Sequence, residues 1–112
     1  MIRALEERYA EQERLVELAR GHVEALSRRL RIHQAAVVGS VARGDFNLWS
    51  DVDVVIVAGR LPERMPERMA LLMAGRPPRV EPIGFTPEEL EVARSRGNRL
   101  VVELDSVGVA LI

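Results

Sequence analysis

The chain contains no cysteine and no lysine. The first absence excludes a disulfide, a thiol nucleophile and any cysteine-based zinc site. The second excludes a catalytic lysine; all 16 basic residues are arginine. No apolar run reaches the roughly 18 residues that span a membrane, and the charged N-terminus has no signal-peptide core, so a cytoplasmic protein is expected. A net charge of −1 gives no global attraction for nucleic acid. What remains is ordinary: 112 residues, the size of one domain, with 47% hydrophobic residues to build a core.

Residues 2–31 hold no proline and many Glu, Arg, Leu and Ala, which predicts one long helix. Ile2, Leu5, Tyr9, Val16, Ala19, Val23, Leu26 and Leu30 follow a heptad pattern that Gln12 alone breaks. Leu15, Leu18 and His22 widen the apolar face, so the half from 15 to 30 is expected to pack on a sheet. The narrower half, 2–12, either projects as a solvated extension or meets a partner helix, including a second copy. Strands are expected at 34–38, 51–57, 79–85 and 107–112, with Pro82 marking either an edge strand or a strand end. Helices are expected at 40–43, 62–74, 86–96 and 99–104. Gly44 reads as a stop for the first, and Pro66 lies in the first turn of the second or shortens it from the front. Thr86-Pro87-Glu88-Glu89 combines a cap, a proline and two first-turn acids. This alternation predicts an α/β (α+β) fold with a small mixed sheet and flanking helices.

One stretch carries chemistry. An apolar run ends in Gly39-Ser40, and after ten residues Asp51-Val52-Asp53 leads into Val54–Val57. Free backbone N–H groups and a hydroxyl where a strand passes into a helix can hold a phosphate. Strand alternation puts Asp51 and Asp53 on one face, with Cα atoms roughly 6.5–7 Å apart. Carboxylates that close repel each other unless a cation lies between them, and Mg²⁺ suits such oxygen donors. Arg43 is placed either to neutralise phosphate charge or on a solvated helix face. Asp45 reads as a helix stop or loop residue. Trp49, the only tryptophan, is read as core, with base stacking as the alternative. His22 and His33 lack partner spacing and read as structural or exposed.

The combination of a strand, Gly-Ser, a spacer of ten and Asp-Val-Asp resembles the signature of the DNA polymerase β superfamily of nucleotidyltransferases. Ala42-Arg43-Gly44 and Ser50 look like that family too. The stretch from Thr86 through Gly97-Asn98 to Val107–Ile112 is similar to its minimal members. The resemblance covers residues 17–112, taken as the nucleotidyltransferase domain, and leaves 1–16 as an N-terminal helical extension. It implies a polymerase β-like fold in which Asp51 and Asp53 bind two Mg²⁺ ions. Gly39, Ser40 and Arg43 would then hold the phosphates of a nucleoside triphosphate. Family members use a third acid on a neighbouring strand. Glu81 fills that place as metal ligand and proton acceptor, although it is Glu where Asp is common and Pro82 follows it.

Minimal members commonly act as antitoxins of helical HEPN-type toxins and transfer AMP from ATP to a toxin tyrosine. The resemblance implies that partner and that reaction here. Two further readings stand beside it. The chain could be a catalytically silent antitoxin that neutralises a toxin by binding alone. It could instead transfer a nucleotide to a small molecule, although such enzymes usually carry an extra helical domain. Asp-x-Asp also marks sugar-nucleotide glycosyltransferases, but that reading leaves Gly39-Ser40 unexplained.

Overall fold

The computed structural model describes residues 2–112; Met1, the first residue of the expected extension, lies outside them. Nine elements follow the expected order: α1 (Ile2–Leu26), β1 (Ile32–Val38), α2 (Gly39–Arg43), β2 (Val52–Ala58), α3 (Met65–Met73), β3 (Val80–Phe85), α4 (Pro87–Ser95), α5 (Arg99–Ser106) and β4 (Val109–Ala110). The sheet is mixed, in the order β3-β2-β1-β4. β2 runs antiparallel to β1 and parallel to β3, while β4 pairs antiparallel with β1. Among the described residues no helix is long and apolar enough to cross a membrane.

The two sheet faces take different helices. Val52, Val54 and Ile56 of β2 lie on one face and pack with Leu15, Ala19 and Val23 of α1 and Leu72 of α3. Val55 and Val57 point the other way and pack with Leu90 of α4 and Val101 and Leu104 of α5. Residues 2–10 of α1 are exposed, and burial begins at Leu15 and Val16, as the widening apolar stripe predicts. Gln12 breaks the heptad for a reason: its side-chain amide donates to Val41 O at 2.7 Å. The N-terminal half is therefore fastened at Gln12, and again at Arg8, whose guanidinium lies 4.5 Å from the centre of the Phe46 ring.

Some boundaries shift for local reasons. α1 ends at Leu26 rather than 31, and residues 27–30 form a turn. There the Ser27 hydroxyl donates to Glu24 O at 2.6 Å, and the chain bends to enter β1. α3 starts at Met65, not 62: Pro66 lies in its first turn, where its missing N–H leaves no intrahelical bond unmade, and the cap, Arg64, is extended. The last strand shrinks to Val109–Ala110, since only those residues find ladder partners on β1. β3 is an edge strand, as Pro82 suggests. That edge is guarded: Arg76 donates to Val80 O at 3.0 Å and Arg68 to Gly84 O at 3.3 Å.

Candidate active site

The end of β1 delivers Gly39 into α2, and α2 closes after one turn at Gly44, whose φ of 89° ends the helix in the left-handed region. Gly39 itself has a φ of +72°, and a Cβ there would lie 2.6 Å from Asp53 Oδ2. Only glycine allows the backbone to approach this carboxylate so closely. Ser40 follows, half-buried. The Gly39-Ser40 turn and Asp53 are thus adjacent.

Asp51 sits one residue before β2 rather than inside it, and it is exposed; Asp53 is half-buried. The connecting loop is tied down on both sides. Arg8 donates to Gly44 O at 2.9 Å and to Phe46 O at 2.6 Å. Arg79 donates to Ser50 O at 2.9 Å, and Val52 N–H donates to Arg79 O at 2.7 Å. Arg79 has a φ of 78°, a conformation that costs a non-glycine residue about 1–2 kcal/mol. Asp51 therefore stands at the end of a fixed loop. Trp49 does not enter the core; it is 88% exposed at the tip of this loop, beside Leu48 at 81%. The turn explains this: Asn47 Oδ1 accepts from Trp49 N–H, and Ser50 Oγ accepts from Asn47 N–H, which points the intervening side chains outward.

Glu81 lies directly opposite Asp53 in the parallel β2–β3 register. It is half-exposed, and its carboxylate lies 3.4 Å from Arg76. Arg43 is drawn to two acids, Asp45 at 3.2 Å and Glu103. Glu103, on α5, escaped the sequence reading. One of its oxygens accepts the Gly39 N–H at 2.8 Å and the other accepts from Arg43. In sequence it is one acid on the polar side of an amphipathic helix, four residues after Arg99, and nothing local marks it. His22 is structural: it is buried, and its Nε2 lies 2.8 Å from Leu72 O. His33 is exposed.

These placements make one electrostatic centre. Burial pushes the Asp53 carboxyl above its ordinary pKa, and the nearby carboxylates of Asp51, Glu103 and Glu81 push it further; Arg43 opposes them. Hard oxygen donors crowded in this way suit a divalent cation. The side chains are not gathered around a single point, however. Among the described residues no three His, Cys, Asp or Glu side chains are close enough to hold one ion. A concavity of about 650 Å³ lies along the outer edge of β3, and Met65, Met69, Ile83, Phe85 and Val92 are among its lining residues. It is mainly apolar, although Arg68, Glu88, Glu89 and Arg96 also line it, and Ile83 is only two residues from Glu81.

A mixed sheet thus carries Gly-Ser at the end of one strand and Asp-x-Asp entering the next. Residues 19–106 match the nucleotidyltransferase domain family. The chain belongs to that family, and generic nucleotidyl transfer is its class of activity. A crystal structure from Sulfolobus solfataricus, of a protein provisionally named a nucleotidyltransferase, is similar in fold. Its TM-score is 0.69 at 22% sequence identity, over 92% of this chain and 84% of that one. No curated protein is significantly similar to this chain.

Proposed function

We propose that the protein transfers a nucleoside monophosphate, AMP from ATP, to a hydroxyl on a protein partner. The observation that carries this reading is the Gly39-Ser40 turn lying against Asp53, with Asp51 and Glu81 beside it. Asp51, Asp53 and Glu81 would hold two Mg²⁺ ions, which would neutralise charge on the phosphates and the attacking oxygen. The Gly39-Ser40 backbone and hydroxyl and the Arg43 guanidinium would orient the triphosphate. The acceptor oxygen attacks the α-phosphorus, the bond to the bridging oxygen breaks, and pyrophosphate leaves. The hydroxyl proton passes to the Glu81 carboxylate. For that, Glu81 must leave Arg76, a partner it meets only at the half-exposed surface.

A protein acceptor is supported by apolar surface around the site. Leu48 and Trp49 project from the loop that ends at Asp51, and Ile83 and Phe85 continue from Glu81 into the apolar groove. Large exposed apolar patches suit a protein partner better than a small polar molecule. A helical HEPN-type toxin accepting AMP on tyrosine is the partner we propose, with this chain as its antitoxin. The exposed Ile2, Leu5 and Tyr9 of α1 offer a further contact for that partner or for a second copy. A silent binding module is the second reading, and the ungathered carboxylates favour it.

One experiment separates the two. Incubation with ATP, Mg²⁺ and a helical HEPN-type protein that forms a complex with this chain should add the mass of AMP to that partner. Glu81→Gln should abolish the mass shift while the complex still forms on a sizing column. A complex that forms without any mass shift in the wild type would establish the silent module instead.

A further inference from the structure

Helix α2 has no local N-terminal cap: the cap residue is Val38, whose side chain makes no capping hydrogen bond. The first N–H groups of a helix need partners. The Gly39 N–H finds one 64 residues away, in Glu103 Oε2 at 2.8 Å. The same carboxylate takes Arg43, the last residue of the helix, on its other oxygen. One acid thus holds both ends of the turn that carries Ser40. Its side chain is only 14% exposed, against 64% for Asp45, the other acid on Arg43, so Glu103 is the firmer anchor. Arg99 lies 3.8 Å from it on the same helix and adds to the charge balance. α5 is itself anchored by Val101 and Leu104 in the core and by an Asn98 side-chain cap.

We propose that Glu103 is the positioning residue of the phosphate cradle. It fixes the Gly39 amide and aims the Arg43 guanidinium, so that Ser40 and Arg43 meet a triphosphate without first being ordered. Preorganisation of this kind lowers the entropic cost of binding. Arg43 has donors to spare: a guanidinium carries five N–H groups and can serve Glu103 and a phosphate together. The proposal rests on the reading of Gly39, Ser40 and Arg43 as nucleotide contacts.

The two halves of the clamp separate by substitution. Gln at 103 keeps an oxygen for the Gly39 N–H but turns a donor or a neutral oxygen toward Arg43. Ala removes both contacts. ATP with Mg²⁺, titrated by calorimetry without any acceptor, should bind Glu103→Ala about tenfold more weakly than wild type, and Glu103→Gln about threefold more weakly. In an Arg43→Ala background, Glu103→Gln should add no further loss, because its effect runs through that arginine. A merely structural acid would change the melting temperature and leave this pattern of dissociation constants flat.

Equal or tighter ATP binding by Glu103→Ala, or an undiminished Glu103→Gln effect without Arg43, overturns the proposal. If wild type binds no ATP, the nucleotide reading fails instead. Amide exchange of residues 39–43 in the ligand-free protein then decides the clamp alone. Exchange about tenfold faster in Glu103→Ala than in wild type supports it, and unchanged exchange overturns it.

Discussion

The two faces of the sheet obey opposite rules. The face under α1 and α3 is closed: Leu15, Ala19, Val23, Ile56 and Leu72 are at most 1% exposed, and among the described residues no buried side-chain polar atom lacks a partner. The face under α4 and α5 is closed only in the middle, by Val55, Val57, Leu90 and Val101. At its Asp53 end carboxylates from a loop, two strands and a helix lie within electrostatic reach of one another. On the first face the sequence minimises free energy. On the second it accepts like-charge repulsion that Arg43 offsets in part and that a cation or a proton relieves further. Such local conflict is expected where a protein keeps a function. Substitutions on the first face should therefore cost stability, whereas neutralising the second should cost activity and gain stability.

The largest expected effect is on activity. Asp53→Asn removes the half-buried carboxylate at the centre of the cluster while keeping its size. Transfer to the partner should fall by at least about 10²–10³-fold in a mass-shift time course, the range seen when one electrostatic group is taken from a reacting centre. Transfer at the wild-type rate would break the comparison, because the charged end of the face would then have no catalytic use.

On the closed face the matching test is Leu72→Ala. Leu72 is fully buried, and its Cδ1 would meet a Cβ at Gly84 within 2.7 Å, so the pocket is shaped by backbone that cannot collapse into it. Chemical denaturation should show a loss of about 2–5 kcal/mol. Nucleotide transfer per folded molecule should be unchanged.

Gly39→Ala joins the two faces and tests their contact. Alanine at a φ of +72° costs about 1–2 kcal/mol, and its Cβ would overlap Asp53 Oδ2. The expected result is a modest loss of melting temperature with a large loss of ATP affinity, because Asp53 must move. A variant that melts earlier yet binds ATP normally would detach the glycine from the site.

How far the sequence discloses each face follows from distance along the chain. The closed face is legible from the periodicity of α1 and the β-branched run Val54–Val57, and even the heptad break at Gln12 marks a real contact. The Gly39-Ser40 and Asp51-Asp53 elements are legible because one β-hairpin-like turn of chain carries them all. Glu81 needs the parallel register of β3, which local pattern does not give; resemblance supplied the residue, and the register puts it opposite Asp53. Glu103 has no such help, since its partners lie 64 and 60 residues away and its own helix explains it as a surface acid. Trp49 is misread because burial is the common fate of a lone large aromatic, and the Asn47–Ser50 turn that expels it depends on side-chain hydrogen bonds.

The smallest effect is the sharpest test of the charged face, since it needs neither partner nor nucleotide. Asp53 has a raised carboxyl pKa in the fold, from burial first and then from Asp51, Glu103 and Glu81. Between the ordinary aspartate value of 3.8 and that raised value, the folded chain binds more protons than the unfolded one. Stability from this group is therefore greatest at the acid end and is lost as pH rises through the raised value. Glu89 works the other way. Its pKa is lowered, chiefly by its hydrogen bonds with Arg68, so its contribution is lost as pH falls. The Arg68–Glu89 pair is common to wild type and Asp53→Asn and cancels in their difference. Metal-free Asp53→Asn should then match or trail wild type near pH 4 and melt at a higher temperature than wild type near neutrality. The gap should open as pH rises and close again when Mg²⁺ stabilises the wild type alone. A difference in melting temperature that stays constant across this range would mean that Asp53 carries no electrostatic strain, and the contrast between the two faces would reduce to packing.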